Sequence, residues 1–417
     1  MKNGWVTKNL AAVTTKIGSG ATPLGGETAY KQAGISLIRS MNVYDEGFRQ
    51  AGLARIDGDQ ADRLSNVVVE PTDVLLNITG ASVARCCLAP AEILPARVNQ
   101  HVSIIRPLKE KIDSAFLRYL LISKDYKDRL LHTGEGGGST RQAITKAQLQ
   151  ELNICYPEPL PEQRRIVGIL DEAFEGIATA KANADKNRQN SRALFESHLQ
   201  SVFTQRGTGW VEKSVGDLVA EGTLVKPFDG NHGEIHPRKA DYTESGVPFI
   251  MAFDLQNGSV DTEHCTFISR TLADSLRVGF AKDGDVLISH KGTIGRSAIV
   301  STQDDYVMLT PQVTSYRVRD ASKLLNRFIR YYFMSPRFQR EMIAAAADGS
   351  TRAYIGITKQ LSLRFHFPSL AEQKRITAEL DVLDPETQRL ALLYERKLAA
   401  LEALKKSLLN QAFTGNL

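Results

Sequence analysis

The sequence predicts an α+β chain built twice. Two globular domains are each followed by one long helix, the two helices run antiparallel as a coiled coil, and an internal pseudo-two-fold relates the halves. Three observations carry this. Residues 73–123 fall on residues 285–335 at a constant offset of 212. Within each half, short strand-like runs surround one recurring amphipathic segment, and each half closes on a stretch almost free of glycine and proline. A period near half of 417 residues is a whole-domain duplication, because solenoid repeats run to about 20–50 residues.

At the 212 offset Asp73, Val74 and Leu75 meet Asp285, Val286 and Leu287, Gly80 meets Gly292, Gln100 meets Gln312 and Ser103 meets Ser315. FLRYLLIS (116–123) then falls on FIRYYFMS (328–335). GSTR (138–141) matches GSTR (349–352), ITK (144–146) matches ITK (357–359), and LPEQRRI (160–166) matches LAEQKRI (370–376), the offset drifting only to 211, 213 and 210. Approximate two-fold symmetry follows, and duplex DNA is the best-known two-fold ligand.

Each half opens on Gly-Trp-Val, Gly4 to Val6 against Gly209 to Val211. Runs such as DVLLNI (73–78), VSIIRP (102–107), VPFIMA (247–252) and DVLISH (285–290) have strand composition and are divided by Gly, Pro and Asp turns. One helical segment recurs as FLRYLLISKDYKDRLL and NRFIRYYFMSPRFQREMI, with apolar residues every three or four positions. The expected boundaries are 1–158 for the first globular domain, 159–205 for a central spacer helix, 206–368 for the second globular domain and 369–417 for a C-terminal spacer helix.

From Pro161 to Phe203 glycine occurs only at 168 and 176. Apolar spacing there predicts an amphipathic helix of up to roughly 65 Å, at about 1.5 Å per residue. The second copy carries a stronger leucine seam at coiled-coil spacing. Neither helix can hide its stripe alone. Antiparallel, they cover one another through Ile166, Leu170, Phe174, Ile177 and Leu194 on one side and Ile376, Leu380, Leu401, Leu404 and Leu408 on the other. The heads are then held apart and the chain ends lie near each other. Pro385 behind Asp384 predicts a kink or restart, since proline costs about 3 kcal/mol inside a helix but suits a first turn.

Hydrophobic residues at 42% and charged residues at 24% are those of an ordinary globular protein. A net charge of +5 permits nucleic-acid binding without requiring it. Cys86, Cys87, Cys155 and Cys265 show no zinc-ligand spacing and fit a reducing cytosol. MKNGWVTKNL lacks the apolar core of a signal peptide, and no apolar run reaches the roughly 18 residues of a membrane span; a soluble cytoplasmic protein is expected. GxxxxGK[ST], HExxH, GxSxG and the Asn/Asp-Pro-Pro-aromatic motif are all missing. The set His101, Asp285, His290 and Lys291 is not shared between halves. Intrinsic catalysis and a bound metal are therefore not expected.

Two paired loops are candidate contacts to a phosphate backbone. The Gly-rich copies offer Ser139, Thr140 and Arg141, then Ser350, Thr351 and Arg352; hydroxyls, backbone NH groups and arginine are common phosphate partners. A mobile surface turn with a capping hydroxyl is the alternative. The loops TGASVAR (79–85) and KGTIGR (291–296) add Arg85, Lys291 and Arg296, against an ordinary strand-to-strand turn. Base-reading residues are expected to differ between halves. Candidates are Arg39, Ser40 and Asn42 in the first half, and His232, Arg238 and Lys239 (with His236) in the second. They lie in segments 20–72 and 222–284, which find no match across the repeat.

At these residues the chain resembles the specificity subunits of type I restriction–modification enzymes. The likeness rests on the duplicated head-plus-helix order, on PLPEQRRIVGILD (159–171) with SLAEQKRITAELD (369–381), and on DVLLNITGAS and NQHVSIIRP. The stretch from KPFDGNHGEIHPRK through HKGTIG to PQVTSYRV and the ending LLNQAFTGNL (408–417) extend it over nearly the whole chain. Pro385 departs from that family's unbroken helix. The resemblance implies a non-catalytic DNA reader of a restriction system in host defence, each head a target-recognition domain for one half of a bipartite, asymmetric site. It implies two adenine-methyltransferase subunits and ATP-dependent motor-nuclease subunits as partners, with S-adenosylmethionine, ATP and magnesium bound on those partners. A coiled-coil adaptor whose heads bind proteins, and a stand-alone nuclease or methyltransferase, are the competing readings.

Overall fold

A computed structural model describes residues 4–23, 25–135, 143–205, 207, 209–346 and 354–414. The chain divides into two compact units, residues 1–185 with 396–417, and residues 186–395.

In the first unit, strands β1 (Trp5–Asn9), β2 (Thr14–Ser19) and β3 (Ile35–Ile38) precede a small hairpin, β4 (Val43–Tyr44) and β5 (Gly47–Phe48). β6 (Ala54–Ile56), helix α1 (Gly58–Asp62), β7 (Val68–Val69), β8 (Val74–Asn77), β9 (Cys86–Leu88), β10 (Ala96–Val98) and β11 (Val102–Pro107) follow. Helices α2 (Ser114–Ile122), α3 (Lys124–Glu135) and α4 (Lys146–Glu151) and strand β12 (Asn153–Pro157) complete the head, and helix α5 (Leu160–Thr204) leaves it. The two larger sheets have orders β6-β3-β10-β7 and β2-β11-β8-β9, while β1 closes on β12. Side chains alternate along a strand, which explains the unbroken apolar run of DVLL. Leu75 and Cys87 pack with Leu37, Val98 and Ile104 between the sheets. Val74, Leu76 and Cys86 face the helices and pack with Phe116, Leu120 and Ile166.

The second unit repeats this plan. β13 (Val211–Ser214), α6 (Val215–Ala220), β14 (Tyr242–Thr243), β15 (Val247–Ile250), β16 (Leu255–Gln256), β17 (Ser259–Val260) and β18 (Thr266–Ile268) lead to α7 (Arg270–Ser275). β19 (Phe280–Ala281), β20 (Val286–Ser289), β21 (Ser297–Ile299), β22 (Val307–Leu309) and β23 (Val313–Tyr316) follow. Helices α8 (Asn326–Met334), α9 (Pro336–Ala346) and α10 (Ile357–Gln360), strand β24 (Arg364–Phe367) and helix α11 (Leu370–Thr414) complete it.

Structure extends the duplication beyond what sequence matching reaches. β3 and β15, β6 and β18, and β7 and β19 begin 212 residues apart, inside the segments that find no sequence match. Gly34 (φ 130°) and Gly246 (φ 146°) share one role: a Cβ on either would lie 2.3 Å from a carbonyl oxygen, of Ile56 or of Ile268. Only glycine tolerates both the backbone angle and the approach.

Two expectations need correction. Ile105 pairs with Val74, and Tyr316 pairs with Val286. The strands β11 and β23 are therefore related by 211, so His101 and not Gln100 occupies the place of Gln312, and Ser103 that of Thr314. The recurring amphipathic segment is also two helices, broken at Ser123 and Ser335 in extended backbone. Their hydroxyls bond back to Leu120 (2.7 Å) and Tyr332 (2.6 Å), and Pro336 disfavours a helical Ser335.

Each helix joins its head through one buried glutamine. Gln163 accepts from the Asp113 backbone NH (2.8 Å) and donates to the carbonyls of Lys111 (3.0 Å) and Pro157 (2.8 Å). Gln373 does the same with Leu325 NH (3.0 Å), Lys323 (2.9 Å) and Pro368 (2.9 Å). About two turns further on, Tyr119 donates to Asp171 at 2.5 Å and Tyr331 to Asp381 at 2.9 Å.

Inside the first unit the start of α5 packs with the end of α11. Ile166, Leu170 and Ile177 are buried, Phe174 and Leu401 are half-buried, and Leu408 and Ala412 join the core. Lys181 pairs with Glu402, and Lys405 sits 5.2 Å over the Phe174 ring, which makes the two segments antiparallel. In the second unit Phe195, Leu199 and Phe203 pack with Ile376 and Leu380, and Glu395 pairs with Arg192 at 3.2 Å. Leu194 and Leu404 do not face inward as expected. They stand 55% and 47% exposed, because the inward positions fall at Ser191 and Phe195 on α5 and at Leu401 and Leu408 on α11. α11 also runs through Pro385 without restarting. Asp384, next to it, is buried and accepts from Arg330 at 2.8 Å, which holds the helix to its head there.

Replacing Gln163 or Gln373 with alanine strands three backbone groups, of which the Pro157 or Pro368 carbonyl is buried and the others partly so. Each substitution is expected to cost on the order of 3 kcal/mol in denaturant unfolding. Hydrogen exchange should loosen Ser114–Ile122 for Gln163→Ala and Asn326–Met334 for Gln373→Ala, and glutamate should not rescue either, since a carboxylate cannot donate. Arg330→Met leaves the Asp384 carboxylate buried without its counter-charge, with only the Gln388 amide donating to it, and should destabilise the second unit by about 3 kcal/mol.

Candidate nucleic-acid interface

In each head the shared loops gather at one end of the sheets. Ile78 NH bonds the His101 carbonyl at 3.0 Å, and Asn99 NH bonds the Ile38 carbonyl at 3.0 Å. Ile144 NH reaches the Ile78 carbonyl at 2.8 Å, and Thr79 bridges Ala143. The loop after β8, the β10–β11 turn, the turn after β3 and the chain leaving the Gly-rich loop thus form one rim. The second head repeats it through His290 NH to Gln312 (2.9 Å), Thr310 NH to Ile250 (3.0 Å) and Ile355 NH to His290 (3.1 Å), with Lys291 bridging Tyr354.

The candidates divide by what they already hold. Ser139, Thr140, Arg141, Ser350, Thr351 and Arg352 lie outside the described residues. Arg85 is half-buried, its guanidinium 4.6 Å from the Tyr44 ring, and Arg49 lies over the same ring at 3.5 Å. Lys291 and Arg296 are exposed on the rim, Lys291 5.9 Å from the Tyr354 ring. His232, Arg238 and Lys239 are exposed on the approach to β14, and His232 Nε2 lies 2.8 Å from Asp229. His236, beside them, is held below the usual histidine range, chiefly by burial.

Arg39, Ser40 and Asn42 are bound into the fold instead of presented to a ligand. Asn42 is fully buried; its carbonyl oxygen accepts from Arg39 NH at 3.0 Å and its amide donates to Arg49 at 2.9 Å. Asp254 takes the same place in the second head, accepting from Met251 NH at 2.7 Å, and burial pushes its carboxyl up to about 6. Arg39 bonds Glu27 (3.0 Å) and the Gly52 carbonyl (2.8 Å), and the Ser40 carbonyl accepts from Asn77 at 2.9 Å. The first-head reading of Asn42 as a base contact is therefore corrected: its hydrogen-bonding capacity is spent on the turn.

Polar rim residues that sequence reasoning missed include Thr79, which lies 2.5 Å from His101 Nδ1, and Gln100, 3.2 Å from His101 Nε2. In the second head His290 is fully buried, with Nδ1 2.7 Å from Thr314 and Nε2 3.7 Å from Asp229. Thr79 and His101 are 22 residues apart in sequence and His290 is 24 from Thr314, so only the strand register brings each pair together.

Burial lowers the His290 pKa to about 4, against about 6.5 for a free imidazole. The unfolded chain therefore binds a proton between pH 6.5 and 4 that the folded head refuses. The sign is a loss of stability as pH falls through that window. Asp254, raised to about 6, acts in the opposite sense. Comparison with His290→Asn isolates the histidine: denaturation midpoints should fall less steeply in the variant from pH 6.5 to pH 4.

The comparisons with known proteins agree with this geometry. The type I restriction modification DNA specificity domain matches the chain twice, over residues 3–186 and 209–396. The EcoBI specificity subunit of Escherichia coli is 22% identical over 371 residues, spanning 84% of this chain and 74% of its own. The EcoKI specificity subunit of Escherichia coli strain K12 is 22% identical and spans 100% of this chain and 90% of its own. Among solved structures, a chain of a type I R-M system superposes with a TM-score of 0.75 at 21% identity, covering 100% of this chain and 99% of that one. The HsdS subunit of Thermoanaerobacter tengcongensis superposes with a TM-score of 0.64 at 20% identity, covering 100% and 98%. With both of its halves matched by one family, the chain belongs to the type I restriction modification DNA specificity domain family.

Proposed function

We propose that the chain is the non-catalytic specificity subunit of a type I restriction–modification complex. Residues 1–158 and 206–368 each read one half of a bipartite, asymmetric DNA site, and the helices at 159–205 and 369–417 set the unread gap. The observation that carries this reading is one rim built twice, on the same backbone bonds, with different side chains exposed. Exposed Lys291, Arg296, Arg238, Lys239 and His232, with half-buried Arg85, supply cations for phosphates. Ser139, Thr140, Arg141, Ser350, Thr351 and Arg352 are assigned to the backbone on sequence grounds.

Two adenine-methyltransferase subunits and the ATP-dependent motor-nuclease subunits complete the complex in the cytoplasm. S-adenosylmethionine, ATP and magnesium act on those partners. Leu194 and Leu404 occupy equivalent positions 210 residues apart and are both exposed, which suits one contact for each of two like partners. No helix among the described residues is long and apolar enough to cross a membrane.

Co-expression with the methyltransferase, followed by genome-wide mapping of modified adenines, tests the proposal. A bipartite motif is expected, and exchanging residues 1–155 for another head should change one half of it only. An intact complex that modifies no motif would sink the reading. Lys291→Ala and Arg296→Ala should weaken binding to every DNA sequence alike and lower the slope of log affinity against log salt by about one per lost phosphate contact.

A further inference from the structure

Met41 and Phe253 are large apolar residues standing 46% and 55% exposed, and they are 212 residues apart. Among the described residues of the two heads they are the only exposed large apolar pair that the duplication relates. Each is the middle residue of a short turn, Ser40–Asn42 or Ala252–Asp254, that leaves the parallel pair β3/β10 or β15/β22 at the rim. The neighbours fix the turn from below. Asn42 and Asp254 are buried and cap Arg39 NH and Met251 NH, and the carbonyls of Ile38 and Ile250 accept from Asn99 (3.0 Å) and Thr310 (3.0 Å).

A single exposed apolar residue needs no explanation. The same turn, held the same way and tipped twice by a bulky apolar side chain, does. Met41 rests its methyl group over Gly52, where a Cβ would lie 2.7 Å from it, but about half of each tip stands in solvent, more than packing alone requires of a large apolar side chain. Holding the backbone rigid keeps the entropic cost of using such a tip low. The two heads carry cations near the same turns' rims: Arg39 lies over Tyr30, Arg49 and Arg85 over Tyr44 in the first head, and Lys291 and Arg296 are exposed in the second. An apolar tip on a rim that carries cations suits a nucleic acid, whose bases offer thymine methyls and ring faces between phosphates.

We propose that Met41 and Phe253 are the apolar base contacts of the two heads, each specifying part of its own half-site. This rests on the DNA-reading function proposed above. The identities differ at one scaffold position, so the two half-sites are read differently there.

The test uses the chain assembled with its methyltransferase and duplexes carrying the mapped motif, each base pair changed in turn and each thymine replaced by deoxyuridine. Met41→Ala should weaken specific binding about tenfold and remove discrimination at one position of the half-site read by the first head, leaving the other half-site unchanged. Phe253→Ala should do the reverse, and Ile343→Ala, exposed elsewhere in the second head, should change neither. Deoxyuridine that reproduces the loss identifies a methyl contact; loss without deoxyuridine sensitivity identifies a ring-face contact. Discrimination retained at every position in both variants overturns the proposal, as does release of the methyltransferase on size exclusion. Wild-type complex without preference at either half-site removes the underlying reading as well, and the wild-type arm reports that separately.

Discussion

The rest of the structure depends on how backbone groups are satisfied where sheet gives way to helix. At the end of β12 and β24, and just before α2 and α8, the chain has left its ladders and has not yet entered the next helix. Buried carbonyls and NH groups there need partners from elsewhere. Gln163 and Gln373 supply them, each with two donors and one acceptor on a fully buried side chain. The adjoining pairs Glu162–Arg165 and Glu372–Arg375 lie on the surface, where ion pairs contribute little. Within the repeated EQ phrase, the glutamine joins helix to head, the isoleucine three residues on enters the core, and the charges stay in solvent.

A second repeated device closes the sheets. Asp73 is gripped by Arg106 through two bonds of 2.8 Å, and Asp285 by Arg317 at 2.8 and 2.7 Å, both carboxylates nearly without exposure. Where the halves diverge, they do so by exchanging one kind of interaction for another. Phe174 and Asp384 lie 210 residues apart, as do the EQ phrases. Phe174 packs edge-on to Tyr119 with centroids 5.6 Å apart, whereas Asp384 forms a buried pair with Arg330. Aromatic burial is favourable wherever it is dry, but a buried ion pair holds only while both members are present. The second head is thus the more demanding attachment, and it sits beside Pro385, the one proline beyond the first turn of either long helix.

Much of this was legible in sequence. Duplication, α+β character and two long helices are long-range patterns that many residues report at once. The failures were local. Leu194 and Leu404 fit a leucine seam by type, but the helical phase set by Ser191, Phe195, Leu401 and Leu408 turns them outward. Ser123 and Ser335 lie inside an unbroken apolar periodicity, and their extended backbone and hydroxyl bonds end the helix, helped in the second half alone by Pro336. The one-residue slip between β11 and β23 is invisible to matching letters, because Ser103 with Ser315 and Gln100 with Gln312 are plausible identities at the wrong register. Asn42 looked like a base contact, yet a buried amide and a surface amide are the same letter.

The same comparison changes what divergence between the halves means. Segments 20–72 and 222–284 share little sequence and nonetheless hold five strands at the same spacing, β3 to β7 and β15 to β19, with β14 added at the edge of the second. Their divergence is therefore not a change of fold. At the turn after β3 and β15 the buried capping role survives as Asn42 and Asp254, the backbone bonds survive, and the exposed residue changes from Met41 to Phe253. A frame that stays fixed while its rim is rewritten lets two heads of one chain meet different surfaces at no cost in folding. That separation is what a reader of two unlike half-sites requires, and it arises here because backbone bonding and rim chemistry are carried by different residues of the same short turn.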